Sequence, residues 1–167
     1  MSLNIIKSDI TTMNVDAIVN AANTNLKMGS GVCGAIFKAA DASNLQAACD
    51  NLAPIKTGEA VLTQGFKLPA KYIIHTAGPI YRGGKCGEEK LLHDSYTNSL
   101  TCAVKNNCNS IAFPLISSGV YGYPKIEALQ IAISAIREFI QEHDIEVFLI
   151  IFDDDLFMQA LSLGGMT

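Results

Sequence analysis

Apolar positions in this chain fall into short runs and longer stripes that alternate, and the alternation predicts strands separated by helices. Strands are expected near Asn4–Lys7, Ala17–Asn20, Ala60–Thr63, Tyr72–His75, Ser110–Leu115 and Glu146–Phe152. The last contains the unbroken run VFLIIF, the pattern of a strand covered on both faces. In the stretch Lys125–Glu142, Ile126, Leu129, Ile133, Ile136 and Ile140 recur at three- and four-residue steps, which predicts a helix with one buried stripe. Pro124 suits its first turn, where a missing N–H costs nothing. A second helix, Glu88–Lys105, would bury Leu92, Tyr96, Leu100 and Ala103 or Val104, and its two leading glutamates complement the helix dipole. Ser43 and Gln46 are spaced as a capping box for a short helix over Asn44–Asp50. A further helix is expected from Gly34 through Ala40. No internal repeat or linker interrupts the alternation, so the expectation is an α/β layered fold in one domain, residues 1–167.

Composition narrows the partners. Twelve basic against sixteen acidic residues give a net charge of −4, which argues against DNA, since a phosphate-backbone binder needs a basic face. Apolar residues make up 49% and charged ones 17%, so a packed core is expected rather than disorder. The longest apolar run is far too short to span a membrane, and the N-terminus shows no signal-peptide pattern, which makes a cytoplasmic location the expectation. The five cysteines form no C-x-x-C pair, and His75, His93 and His143 follow no ligand spacing. Reduced thiols and no metal site are therefore expected.

Two loops carry the candidate chemistry. Asn20-Ala-Ala-Asn23 is followed by Met28-Gly-Ser-Gly-Val-Cys-Gly34, and Ser117-Ser-Gly-Val-Tyr-Gly-Tyr-Pro124 lies further on. Each follows a predicted strand and leads into a predicted helix. Small residues there let a ligand approach main-chain N–H groups, and a helix N-terminus adds positive potential. Two such loops at neighbouring strand ends would hold a diphosphate, reconciling an anionic ligand with an acidic protein. Gly29 to Gly34 also spells G-x-G-x-x-G, the dinucleotide fingerprint. That motif needs its glycines directly off the strand and an acidic residue at the end of the next strand. Here Gly29 lies nine residues past Asn20 and a helix is expected next, so a nicotinamide-dependent oxidoreductase is disfavoured.

Taken together, Ser8-Asp9-Ile10-Thr11, Asp16 through Asn23, the glycine loop, His75-Thr-Ala-Gly-Pro79 and Pro114 through Gly122 resemble the macro domain, in the bacterial branch of ADP-ribosyl hydrolases and O-acetyl-ADP-ribose deacetylases. The resemblance covers Leu3 to Leu161 with the motifs in order. It implies a three-layer α/β/α fold, with a mixed, mostly parallel sheet of about six strands and ADP-ribose in a cleft at the strand ends. The ligand would be ADP-ribose itself, an ADP-ribosylated protein or O-acetyl-ADP-ribose, with no cofactor. By the same resemblance Asp9 would accept from the adenine amino group and Ile10 would offer a nearby N–H. Phe152 would pack on adenine, and Asn23 would contact the distal ribose while Asn20 braces the loop. Gly31, Val32, Ser118, Gly119, Val120 and Tyr121 would hold the diphosphate, with Tyr121 closing over the ribose. Without the resemblance, Asp9 reads as a cap or turn residue and Phe152 as core.

The hydrolase branch carries an aspartate after the loop valine, where this chain has Cys33, and a histidine in the next helix, where it has Phe37. A carboxylate there orients or deprotonates a water, and a thiol is no direct substitute. Cys33 at a helix N-terminus is itself a candidate nucleophile, with His75 the nearest base by residue type. The simpler reading is a small apolar loop residue, just as Lys38 reads as an exposed helical lysine rather than a nucleophile. Two functions stay open: hydrolysis of ADP-ribosyl linkages or esters, with Asn23 and Cys33 as catalytic candidates, and non-catalytic reading of ADP-ribose.

Overall fold

The computed structural model describes residues 2–164; Met1 and residues 165–167, the ends of the expected 1–167 domain, lie outside the described residues. Its strands are β1 (Ser2–Lys7), β2 (Ala17–Ala22), β3 (Ala60–Gln64), β4 (Tyr72–Ala77), β5 (Ser110–Phe113) and β6 (Glu146–Ile151). Its helices are α1 (Gly31–Ala40), α2 (Ala42–Asp50), α3 (Glu88–Lys105), α4 (Lys125–Ile140) and α5 (Asp154–Gly164). The strands form one sheet in the order β1-β6-β5-β2-β4-β3. All neighbours are parallel except β3, which pairs antiparallel with β4. The sheet is mixed and mostly parallel, as the resemblance implied.

Strand periodicity divides the core into two halves. Ala17 and Val19 face one side with Ile74, Ile111, Phe113 and Leu149, under the apolar stripes of α3, α4 and α5. Ile18 faces the other side with Ile73, Ala112 and Ile150, under Ile36 and Phe37 of α1 and Leu45 of α2. Three layers result. The chain leaves β2 toward one face and the neighbouring β5 toward the other. The two loops therefore diverge at adjacent strand ends and open a crevice between them.

Several sequence-based expectations are corrected. β5 stops at Phe113 because Pro114 cannot continue the ladder, and β6 stops at Ile151, which releases Phe152 from the sheet. In α4 the buried stripe runs through Ala128, Leu129, Ala132, Ile133 and Ile136, while Ile126 is 41% exposed. In α3 the buried member of the Ala103/Val104 pair is Ala103. Helix α2 is capped by Asp41, whose side chain accepts from the Asn44 N–H, and not by Ser43. Gln46 is thereby free for another task described below. The alternation predicts no helix where α5 forms, although Leu156 and Ala160 make a short buried stripe behind two acidic first-turn residues.

Candidate functional site

The C-terminal ends of β1, β6, β5, β2 and β4 lie along one edge of the sheet, and a cavity of about 540 Å³ opens there. Its lining brings together every binding residue expected from the sequence. Asp9, Ile10 and Phe152 stand at the β1–β6 end; Asn23, Gly31, Val32 and Cys33 form the wall after β2; Ser118 to Tyr121 form the wall after β5.

Asp9 caps a turn and also borders the cavity. One carboxylate oxygen caps the short 3-10 turn Ile10–Thr12, accepting from the Thr11 N–H at 2.9 Å and the Thr11 hydroxyl at 2.7 Å. The same side chain borders the cavity. Phe152 is 81% exposed, so its ring is not core packing but a free apolar face at the cavity mouth.

The first loop is held from behind. Asn23 spans Lys27 with its whole amide, accepting from the Lys27 N–H at 3.0 Å and donating to the Lys27 carbonyl at 2.9 Å. Gln46 of α2 accepts from the Met28 N–H and donates to the Leu26 carbonyl, both at 3.0 Å. These clamps keep the buried Leu26 at a φ of 53°, a conformation costly for a branched side chain. In the sequence this role is hidden, because the spacing of Gln46 from Ser43 mimics a capping box. Gln46→Ala is expected to lose about 1 kcal/mol of stability. It should also speed amide exchange at Met28 and weaken ligand binding severalfold; unchanged exchange at Met28 would refute the clamp.

Helix α1 begins at Gly31, and its geometry leaves the N–H groups from Gly31 to Cys33 without intrahelical acceptors. Gly34 is required for packing, since a Cβ there would lie 2.5 Å from the Gly29 carbonyl oxygen. The third glycine of the apparent dinucleotide fingerprint thus serves loop-on-helix contact. Helix α1 runs on into α2, so no strand-borne acid follows at the required place.

The second loop turns back on itself through the Gly122 N–H donating to the Gly119 carbonyl and the Tyr123 N–H donating to the Ser117 carbonyl. The N–H groups of Ser118, Gly119, Val120 and Tyr121 make no hydrogen bond among the described residues. Four successive free donors opposite a helix N-terminus form an anion-binding concavity built from backbone alone. Ser117, which opens this loop, lines the same wall at a φ of 66° with a buried hydroxyl that has no partner among the described residues. Gly78 makes room for it: a Cβ on Gly78 would fall 2.3 Å from the Ser117 Oγ.

Beneath the loops, Cys33 is 6% exposed. Its Sγ lies 3.6 Å from Asn20 Nδ2 and 3.8 Å from the Lys27 carbonyl oxygen. The same Asn20 nitrogen is 3.1 Å from His75 Nδ1, so an amide stands between thiol and imidazole. His75 also meets Thr63 Oγ1 at 3.0 Å through Nε2. Nδ1 then accepts from Asn20 and Nε2–H donates to Thr63, with the Cys49 Sγ also 3.8 Å from Nε2. His75 is therefore a positioning residue in the floor and not the base of a cysteine nucleophile. Asn20 braces the loop, as expected. Phe37 packs edge-on to the His75 ring, and Lys38 is exposed and outside the cavity.

Burial lowers the His75 pKa to about 4, from an ordinary 6.5. A folded-state value below the unfolded one means that protons favour the unfolded chain, so the stability is intact above pH 6.5 and declines as pH falls toward 4. About 2 kcal/mol should be gone by pH 5. Urea midpoints measured from pH 7.5 to 5 should show this slope, and His75→Gln should flatten it; an equal slope in the variant would refute the assignment. The lowered carboxylates Glu88 and Glu146 act only below about pH 4.5, outside this window.

The macro domain family model matches residues 19–132. The chain is 47% identical to a protein of Citrobacter rodentium named O-acetyl-ADP-ribose deacetylase, over 98% of this chain and 97% of that one. It superposes on the Oceanobacillus iheyensis macrodomain with ADP at a TM-score of 0.91, with 40% identity over 96% of this chain and 88% of that one. The Trypanosoma brucei macrodomain in complex with ADP-ribose gives a TM-score of 0.88 and 37% identity, over 98% of this chain and 69% of that one.

Proposed function

This chain belongs to the macro domain family, and from that premise we propose that its cleft binds ADP-ribose and acts on ADP-ribosyl esters and ADP-ribosylated proteins. The observation that carries the reading is the row of four free N–H donors from Ser118 to Tyr121, facing the N-terminus of α1. An anionic, backbone-recognised group such as a diphosphate satisfies both walls and reconciles an anionic ligand with a protein of net charge −4. Adenine then falls toward Asp9, Ile10 and Phe152, and the distal ribose toward Asn23, Cys33 and Tyr121. O-acetyl-ADP-ribose and mono-ADP-ribosylated side chains present the same nucleotide with a scissile bond at that ribose. Hydrolysis here rests on positioning: the loops orient the substrate and a water held near the diphosphate, without redox chemistry or a cofactor. Five free thiols suit a reducing, cytoplasmic setting.

Calorimetric titration with ADP-ribose, AMP and NAD tests the reading. Saturable binding that prefers ADP-ribose is expected; no heat with any of the three would refute it. A second reading, a reader that binds without turnover, is favoured by one observation: Cys33 has an amide and a carbonyl beside its sulfur, but no base among the described residues. Acetate release from O-acetyl-ADP-ribose separates the two.

A further inference from the structure

Residues 78–87 join β4 to α3 at the β4 end of the cavity, away from Asp9 and Phe152 on the sheet edge. The segment starts in the cavity wall at Gly78 and is tied to it again at Tyr81, whose N–H donates to the Tyr121 carbonyl at 2.9 Å. The Tyr81 ring rests on that of Tyr123, with centroids 4.9 Å apart. Beyond Tyr81, residues 82–87 are all exposed and belong to no strand or helix. They are nevertheless fixed. The carboxylate of Glu88, 2% exposed, accepts from the N–H groups of Arg82 at 2.8 Å, Gly84 at 2.9 Å and Cys86 at 2.6 Å. These bonds, that of Arg82 foremost, hold its pKa down to about 2, so the anchor stays charged. Burying a carboxylate is costly, and here it orders residues 82–87, which add nothing to either half of the core.

The strip is also the wrong sign for its protein. Residues 79–87 contain Arg82 and Lys85 and no acid, in a chain of net charge −4. Neither side chain has an ion-pair or hydrogen-bond partner among the described residues. Resting on the ADP-ribosyl reading of the cleft, we infer that the 80–87 loop is a docking strip for the modified protein itself, gripping acidic residues that flank its ADP-ribosylated side chain. On that reading of the cleft, the sheet order sets the loop on the side of the distal ribose, from which a modified side chain would leave. Two unpaired cations suit a short acidic segment; a nucleic acid needs a longer basic face than this chain has.

The test uses two peptides carrying one ADP-ribosyl group on a hydrolysis-resistant S-glycosidic link, one flanked by acidic residues and its twin by serines. At low ionic strength the acidic peptide should bind about fivefold tighter, and the advantage should shrink with salt. The Arg82→Ser/Lys85→Ser double variant should bind both peptides alike while holding free ADP-ribose within about twofold of wild type, which also certifies its fold. Equal binding of the twins by wild type, or an unchanged preference in the variant, overturns the inference. Displacement of the acidic peptide by a short single-stranded RNA at equal concentration overturns it too, because the strip would then read phosphate. Failure of wild type to bind free ADP-ribose would strike the cleft reading, and this inference with it.

Discussion

Gly119→Glu is expected to weaken ADP-ribose binding by at least about a hundredfold while leaving the fold intact. Nothing lies within 4 Å of a Cβ built on Gly119, and its backbone is outside the left-handed region, so a side chain enters without strain. That open space is the cavity, and the residue sits within the row of free N–H donors. A carboxylate there places a like charge about 4 Å from the diphosphate. At an effective dielectric of about 20 the repulsion approaches 4 kcal/mol. A hundredfold loss needs only about 2.8 kcal/mol, so the prediction stands even if part of the repulsion is screened. Calorimetry on the variant, with thermal melting as a check on the fold, decides it. Wild-type affinity in a folded Gly119→Glu protein would mean that the second loop does not hold the diphosphate.

Gly119 stands out in the sequence itself. Each loop advertises itself by small residues between a strand and a helix, and backbone recognition depends on little else. Helix α3 was read to its end residues because Leu92, Tyr96 and Leu100 recur at a strict helical step. The VFLIIF run marked β6 because a strand buried on both faces has no polar alternation to disguise it.

What was not legible involves contacts between residues distant in sequence. Gln46 has the spacing of a local cap but bonds to Leu26 and Met28, about twenty positions away. Glu88 has the place of a dipole-complementing glutamate, yet its carboxylate is spent on the preceding loop. The exposure of Phe152 depends on where β6 ends, and an aromatic closing an apolar run gives no sign of it. The antiparallel pairing of β3 and the Gly78 notch for Ser117 are likewise set by the packed sheet. Local pattern reported composition and period, and misled wherever one side chain could serve either a neighbour or a remote loop.

Cys33 is where that limit bears on chemistry, and Cys33→Asp is expected to raise hydrolysis of O-acetyl-ADP-ribose on the order of a hundredfold, as a well-placed general base does. The position can carry a carboxylate. It is the third residue of α1, where the helix N-terminus favours negative charge, and Asn20 Nδ2 is already 3.6 Å from the sulfur and able to donate. An aspartate also reaches one bond further than a thiol, from a nearly buried origin out into the cavity. Against it stands the Lys27 carbonyl, 3.8 Å from the sulfur, which would repel a carboxylate but not a thiol. The helix terminus and the Asn20 donor outweigh that single dipole, so the aspartate should ionise and orient a water. Acetate release measured alongside the ADP-ribose Kd separates the outcomes. A rate increase with unchanged affinity shows an enzyme scaffold lacking one carboxylate. Unchanged affinity with no increase shows a cleft shaped for reading ADP-ribose, because Phe37 and the missing base would then matter as well. Loss of the basal rate in Cys33→Ala, with binding retained, would instead make the thiol the reacting group, attacking without the aid of His75.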